Sequence, residues 1–324
     1  LPEVEWTFVP AEYWGEAAPS PYLSRVARRL DARFNVGWTG GQVLAREIGR
    51  EEAGRFRDYA RHPLVLGDNY PVQDRLWGAG RLHWGPLTGR EPGLEEFHAA
   101  YVANASPLAA ASRLPLATAA EYAWAPQEYD PASAWRRALA EAGSEQLARF
   151  AAYNTASWLT PAGLPGLSGR LEALASGSPE PELRRELGAL SRLRRGLDAE
   201  LASDPALRAQ LEPWAAKLEA LATAALAALV VDAEPGDAEA ARAFSKSAAR
   251  ADALPAVVGG QALDRFVHRT AARLAGLAPP DLRPHRERVA ALCAGERGAE
   301  ILLSAALDRL AAGEALLESA GRPR

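Results

Sequence analysis

Methionine is absent from the 324 residues, even at position 1, where the chain opens Leu-Pro-Glu. A translation product starts with Met, so the chain is expected to be processed, trimmed or partial. Cysteine is nearly absent as well. The single Cys293 excludes an internal disulfide framework and any cysteine-based zinc site, and it leaves the redox compartment open. Charge of one sign is not in excess: 37 Lys and Arg stand against 41 Asp and Glu, a net charge of −4. That balance argues against a general nucleic-acid binder, which needs a basic field. With 48% hydrophobic and 24% charged residues, the composition is not that of a disordered chain. Long hydrophobic runs are missing. The longest, residues 221–231, is rich in Ala and too short to span a bilayer, and it reads as part of an amphipathic helix. The opening LPEVEWTFVP has neither the basic segment nor the apolar segment of a signal peptide. Neither nucleic acid nor a membrane is therefore expected as a partner. At ~150 residues per domain the length predicts two domains. It is ample to bury a core without a disulfide or metal staple.

What is present changes character near residue 130. Before it lie all the runs that read as strands. After it Ala, Leu, Arg and Glu dominate. In the first part, residues 6–9, 34–36, 64–66 and 99–103 predict strands, and residues 21–30, 51–59 and 108–122 predict helices. Apolar strands alternating with helices predict four βα units and a parallel sheet covered on both faces. The loops that follow such strands build the active site in parallel α/β folds. In the second part, Leu183, Leu187, Leu190, Leu193, Leu197 and Leu201 fall on one helical face. Asp204-Pro205 supplies an N-cap and a first-turn proline for a helix carrying Leu207, Leu211, Trp214, Leu218, Leu221 and Ala225. Gly259-Gly260 opens another, bearing Leu263, Phe266, Val267 and Leu274, and two more are expected near 284–294 and 298–318. The pattern is that of a helical bundle.

The candidate chemistry sits in loops after the predicted strands. The run 64–74 is a strand followed by Gly-Asp-Asn-Tyr-Pro-Val-Gln-Asp, which places Asn69 and Asp74 five residues apart around Pro71. A carboxylate and an amide on a strand-end loop suit the hydroxyls and amide of a sugar. They equally suit a plain turn, since Asn and Asp favour turns. Trp38-Thr39-Gly-Gly41 ends another strand, and its glycines permit close approach of a ligand or simply a tight turn. Its glycine spacing and lack of Lys exclude a phosphate loop. Tyr13 offers a hydroxyl after the first strand. Asn104 follows the last and also heads a glycosylation sequon, Asn-Ala-Ser. His62, His83, His98, His268 and His285 lack metal-ligand spacing and read as surface or satisfied core residues, so no metal and no cofactor are expected. Cys293 reads as an inert core thiol.

These residues form an ordered series: Val9-Pro-Ala-Glu-Tyr13, Trp38-Thr-Gly40, Asp68-Asn-Tyr-Pro-Val-Gln-Asp74, Gly85-Pro-Leu-Thr-Gly-Arg90, Val102-Ala-Asn104 and Leu116-Ala-Thr-Ala-Ala-Glu-Tyr-Ala-Trp124, then Tyr129-Asp-Pro131 and Ala134-Trp135. The series resembles glycoside hydrolase family 84, which holds the O-GlcNAcases and bacterial β-N-acetylglucosaminidases, some labelled hyaluronidases. The resemblance covers roughly residues 5–140 and implies an α/β plus all-α fold. Residues 1–130 would be the last four βα units of a TIM (β/α)8 catalytic barrel, and residues 131–324 a helical bundle domain. It also implies a GlcNAc-containing glycan or glycoprotein as partner. The implied reaction is substrate-assisted retaining hydrolysis, in which the 2-acetamido carbonyl attacks the anomeric carbon to form an oxazoline.

On this resemblance, Tyr13 lies near the acetamido pocket and Asn69 hydrogen-bonds around the same group. Asp74 grips hydroxyls at the far side of the sugar, and Asn104 contacts the sugar after the last strand. The turn Trp38, Thr39 and Gly40 helps form the pocket floor. Four departures are visible. Gly67 stands where many relatives carry a pocket Trp, leaving Trp14 or Trp77 to substitute. Gln73 replaces a common Asn, and Ala105-Ser106 replaces Pro-Met. The adjacent Asp-Asp pair that performs acid–base chemistry in the family occurs nowhere in the sequence. The chain is therefore expected to carry the sugar-binding shell, to lack the catalytic pair and to be inactive alone. The alternative is a non-catalytic carbohydrate-binding protein or a helical scaffold. High Ala, Leu and Arg with little Lys suggests a GC-rich bacterial genome, and bacterial members of the family are often exported.

Overall fold

The computed structural model describes residues 4–15, 20–73, 80–155, 181–234, 236–258 and 262–274. The expectations for Asp74, Trp77, Gly259-Gly260, His285, Cys293 and the helices near 284–294 and 298–318 lie outside the described residues. The chain divides into two compact units, residues 1–73 with 83–162 and residues 74–82 with 163–324.

The first unit is built on four parallel strands, β1 (Trp6–Phe8), β2 (Phe34–Trp38), β3 (Leu64–Asp68) and β4 (His98–Ala103), paired in sequence order. Helix α1 (Pro21–Arg29) follows β1, and α2 (Arg50–Ala60) follows β2. Local chemistry sets their ends. The Ser20 hydroxyl accepts from Leu23 N at 2.9 Å and Pro21 takes the first turn, where its missing N–H costs nothing. Arg61 ends α2 in the left-handed region, with φ 57°. β4 leads into α3 (Ala109–Trp124), then α4 (Pro131–Ala142) and α5 (Glu145–Ala152). The α4 and α5 caps are Asp130 and Ser144, whose side chains accept from Ser133 N and Leu147 N.

Two expectations are corrected here. The third βα unit has no α-helix among the described residues: between β3 and β4 stands only a single 3-10 turn, Leu94–Glu96. Within residues 80–97, Gly85, Pro86, Gly89, Pro92 and Gly93 interrupt any helical run. The sheet is also covered fully on one face and only in part on the other. Alternation along the strands puts Val36, Trp38, Leu64, Leu66 and Asp68 on one face, where Trp38 stacks on Phe56 of α2 at 5.3 Å. The other face carries Val9, Gly37, Val65, Gly67 and Val102; Gly37 and Val65 are buried there, whereas Val9 is 63% and Val102 54% exposed. Beyond the sheet, Trp84 packs edge-on against Trp135 and Phe150 and donates to Ala111 O at 2.7 Å. Tyr122 and Tyr129 donate to the carbonyls of Glu91 and Leu87, pinning residues 85–91 to the helices.

The second unit is helical among its described residues. α6 (Pro181–Leu190) and α7 (Leu193–Glu200) pack on the long α8 (Pro205–Ala233), as do α9 (Ala238–Asp252) and α10 (Ala262–Leu274). The leucines 183 to 201 are all buried, but on two helices rather than one. The break falls at Ser191-Arg192, where Ser191 Oγ bonds back to Gly188 O at 3.0 Å. α8 is long and apolar enough to cross a bilayer by length and composition, which the 221–231 run alone concealed; 67% of its most apolar window is buried inside the unit. Packing against four helices accounts for that apolarity. Trp214, expected on the buried stripe of α8, is only half-buried and donates to Gly80 O at 3.0 Å. Lys217 is buried instead, its ammonium donating to Ala251 O at 2.9 Å and lying 3.4 Å from Asp264 Oδ1.

Candidate functional site

The candidate residues gather at the C-terminal ends of the four strands. The turn after β2 meets the loop after β1: Thr39 N donates to Tyr13 O at 2.9 Å, and Gly15 N donates to Gly40 O at 3.0 Å. Thr39 Oγ1 reaches Tyr13 O and Gln42 O at 3.4 and 3.3 Å. Asn69, one residue past β3, donates through Nδ2 to Val43 O at 2.5 Å. Its Oδ1 accepts from Asn104 Nδ2 at 2.9 Å, so the amides beyond β3 and β4 are joined side chain to side chain. Asn104 is exposed, and its backbone N–H is held by Asp68 O at 2.7 Å. Tyr13, Thr39 and Asn69 are half-buried. Thr39, Asn69 and Asn104 thus lie along the sheet's end, and of Tyr13 it is the backbone carbonyl that meets them, accepting from Thr39.

Two expected members stand apart. Trp38 is fully buried on the helix-covered face, between the rings of Phe56 and His98, with its indole N–H 3.5 Å from Gly15 O. It supports the turn from beneath, and Thr39 is the part that faces outward. Asp74 lies outside the described residues.

The sequence reading missed the group that holds the row in place. Asp68, the last residue of β3, is fully buried and forms a two-pronged ion pair with Arg90: Nε to Oδ2 at 2.8 Å and Nη2 to Oδ1 at 2.5 Å. Tyr101 of β4 donates to the same Oδ2 at 2.9 Å. Arg90 Nη1 donates to Thr88 O at 2.8 Å and Arg46 O at 3.1 Å. Burial by itself would pull the Arg90 guanidinium down, but the Asp68 carboxylate beside it more than offsets that and leaves it raised. Burial pushes the Tyr101 phenol up, and the Asp68 charge adds to the rise. With three donors on its carboxylate and no exposure, Asp68 is out of a ligand's reach. Its work is to tie β3, β4 and the 85–90 loop together under Asn69 and Asn104. Both Asp68 and Arg90 stand in the quoted motifs, but a pairing across 22 residues has no local signature.

The described histidines are tied to their surroundings. His62 and His98 bond through Nδ1 to the carbonyls of Phe34 and Leu94, at 2.9 and 2.7 Å. His268 lies 3.1 Å from Asp252. His83, buried under the 70–73 turn, bonds through Nδ1 to Val72 O at 3.3 Å, and burial pulls its pKa down to about 4. Among the described residues no group of three or more His, Cys, Asp or Glu is placed to hold a metal ion.

Residues 2–154 match the model of a beta-N-acetylglucosaminidase family. Curated relatives include the Protein O-GlcNAcase of Rattus norvegicus and that of Mus musculus, each 33% identical over 88 residues. That match covers 26% of this chain and 9% of either relative. Among solved structures, a mutant O-GlcNAc hydrolase from Thermobaculum terrenum superposes with a TM-score of 0.69 at 22% identity, over 86% of this chain and 63% of that one. The structure named CpGH84B superposes with a TM-score of 0.72 at 22% identity, over 82% of this chain and 50% of that one. The chain therefore spans less than two thirds of these structures and under a tenth of the curated relatives. The fold is a mixed α/β arrangement, a parallel sheet with many helices, similar to those enzymes. On the family model and the ordered motifs together, residues 2–154 belong to the β-N-acetylglucosaminidase family, glycoside hydrolase family 84.

Proposed function

We propose that this chain carries the sugar-binding part of a β-N-acetylglucosaminidase site and binds terminal β-linked N-acetylglucosamine. The observation that carries the reading is the Asn69–Asn104 hydrogen bond across the ends of β3 and β4. It presents two amides side by side, with Thr39 at the end of the neighbouring strand, and amides both donate to and accept from a sugar's acetamide and hydroxyls; the Tyr13 hydroxyl would complete the set. Asp74, six residues past the end of β3, would grip the hydroxyls on the far side. In the whole reaction the 2-acetamido oxygen attacks the anomeric carbon and forms an oxazoline, while one carboxylic acid protonates the leaving oxygen and then activates water. This chain offers no group for that proton transfer in the described row. Asp68 is locked in its ion pair, and no Asp-Asp occurs in the sequence. The reading that the sheet is half of an eight-stranded barrel is supported by β1 and β4 each pairing on one side only among the described residues, with one face covered only in part.

The test is direct. Purified chain is titrated with methyl β-N-acetylglucosaminide by NMR and assayed on a chromogenic β-N-acetylglucosaminide. The expected result is saturable binding, weakened at least tenfold in Asn69→Ala and Asn104→Ala, with no hydrolysis. Absence of binding sinks the sugar site, and hydrolysis above background sinks the statement that the chain lacks the acid–base pair.

A further inference from the structure

The sheet of the first unit runs β1-β2-β3-β4 without a reversal, and every neighbouring pair is parallel. Right-handed connections in such an order all fall on the same side of the sheet. An open parallel sheet reverses its order and takes helices on both faces, whereas a sheet without a reversal curls toward a barrel. Four strands are too few to close one; eight close around a filled interior. The side away from the helices carries Val65, Val102, Gly37 and Gly67, and branched and small residues suit such an interior.

The exposed apolar surface of this unit sits at its two edges. Among the described residues, Val4, Trp6, Val9 and Trp14 lie on or beside β1, Tyr22 on α1, Val102 on β4 and Trp124, 92% exposed, on α3. No exposed large apolar side chain lies on β2, α2 or β3 between them. Edge strands are commonly guarded by charge or proline, yet Trp6–Phe8 and His98–Ala103 hold no Lys, Arg, Asp, Glu or Pro. Together these side chains expose on the order of 800 Å² per copy, the area that one partner buries in a standard-size interface.

We propose that this unit pairs with a second copy of the chain, β4 of each against β1 of the other, so that two four-stranded sheets close into one eight-stranded parallel barrel. The inference rests on the half-barrel reading above. A second copy fits because each molecule carries both sides of the seam. A two-fold axis along the barrel repeats that seam twice and leaves no free edge in either copy. It sets α3 of one copy beside α1 of the other, covering Trp124 and Tyr22. The large Trp6 at one edge meets the exposed, small Ala99 and Ala100 at the other. The closed pair carries two Asn69–Asn104 amide pairs around one mouth.

Sedimentation equilibrium of the full chain from about 1 to 100 µM is expected to reach twice the chain mass at the upper end. Trp6→Glu at one edge and Val102→Glu at the other each weaken association at least tenfold, since a charge is then desolvated in the seam. Circular dichroism separates loss of pairing from loss of fold. The direction of the seam is read in a Cys293→Ser background with Thr7→Cys chains, Ala100→Cys chains and a short bismaleimide: the mixture crosslinks, and neither variant crosslinks alone. A monomer at every concentration, association unmoved by both glutamates, or crosslinks between like chains overturns the second copy and leaves the half-barrel reading standing. Thr7-to-Ala100 crosslinks in assemblies larger than two chains mean that the sheet does not close at eight strands, and overturn the half-barrel reading with the proposal.

Discussion

Replacing Arg90 by Met removes the positive partner of a carboxylate with no exposure. Asp68 then keeps a single donor, the Tyr101 hydroxyl at 2.9 Å, where it had three. The carbonyls of Arg46 and Thr88 lose the Arg90 donors at the same time. Breaking a buried pair in this way costs about 3–5 kcal/mol, because the remaining charge is desolvated without compensation. Against a typical domain stability of about 5–15 kcal/mol, that is a large fraction of the total. Urea unfolding of Arg90→Met at pH 7, followed by tryptophan fluorescence, measures the loss. The double variant Asp68→Asn with Arg90→Met removes the stranded charge and is expected to regain about half of the loss. A cost below about 1 kcal/mol for Arg90→Met at pH 7, or a double variant no better than the single, would refute the reasoning.

Three further outcomes are expected. His83 is buried neutral, with its pKa lowered from 6.5 to about 4, so its stabilising contribution is full above pH 6.5 and is lost as pH falls toward 4. The difference is about 3 kcal/mol; His83→Asn should flatten the melting temperature between pH 4 and 7, and an unchanged slope would count against it. Lys217→Met leaves the Ala251 carbonyl and the Asp264 carboxylate without their ammonium. With Asp264 still partly reached by water, a loss of about 2–3 kcal/mol is expected in thermal unfolding, larger than for Asp264→Asn. Arg61→Gly relieves a left-handed backbone at the end of α2 and should raise stability by about 0.5–1 kcal/mol in the same assay; a fall would mean the Arg61 side chain matters more than its backbone.

Much of the first unit was legible before any coordinates. Strands at Trp6, Phe34, Leu64 and Ala99 are short apolar runs bounded by Pro, Gly and Asn, and each forms, three of them reaching further than the runs suggested. Caps such as Ser20-Pro21, Asp130-Pro131 and Asp204-Pro205 work through bonds to residues three positions on, so they can be read locally. Helix α9 escaped notice because its buried face is mostly alanine, with Phe244 as its one large residue. The break at Ser191 was hidden because the leucine spacing runs through it unchanged.

What the sequence by itself determined is the set of elements, their order and the polar residues that end the strands, since these follow from near-neighbour spacing and turn chemistry. Only the tertiary structure decided which polar residue does what. Asp68 and Asn69 are adjacent in the chain and alike in composition, yet alternation sends one into the core toward Arg90 and the other outward to Asn104. That choice depends on strand register and on partners 22 and 35 residues away, and no local pattern carries it.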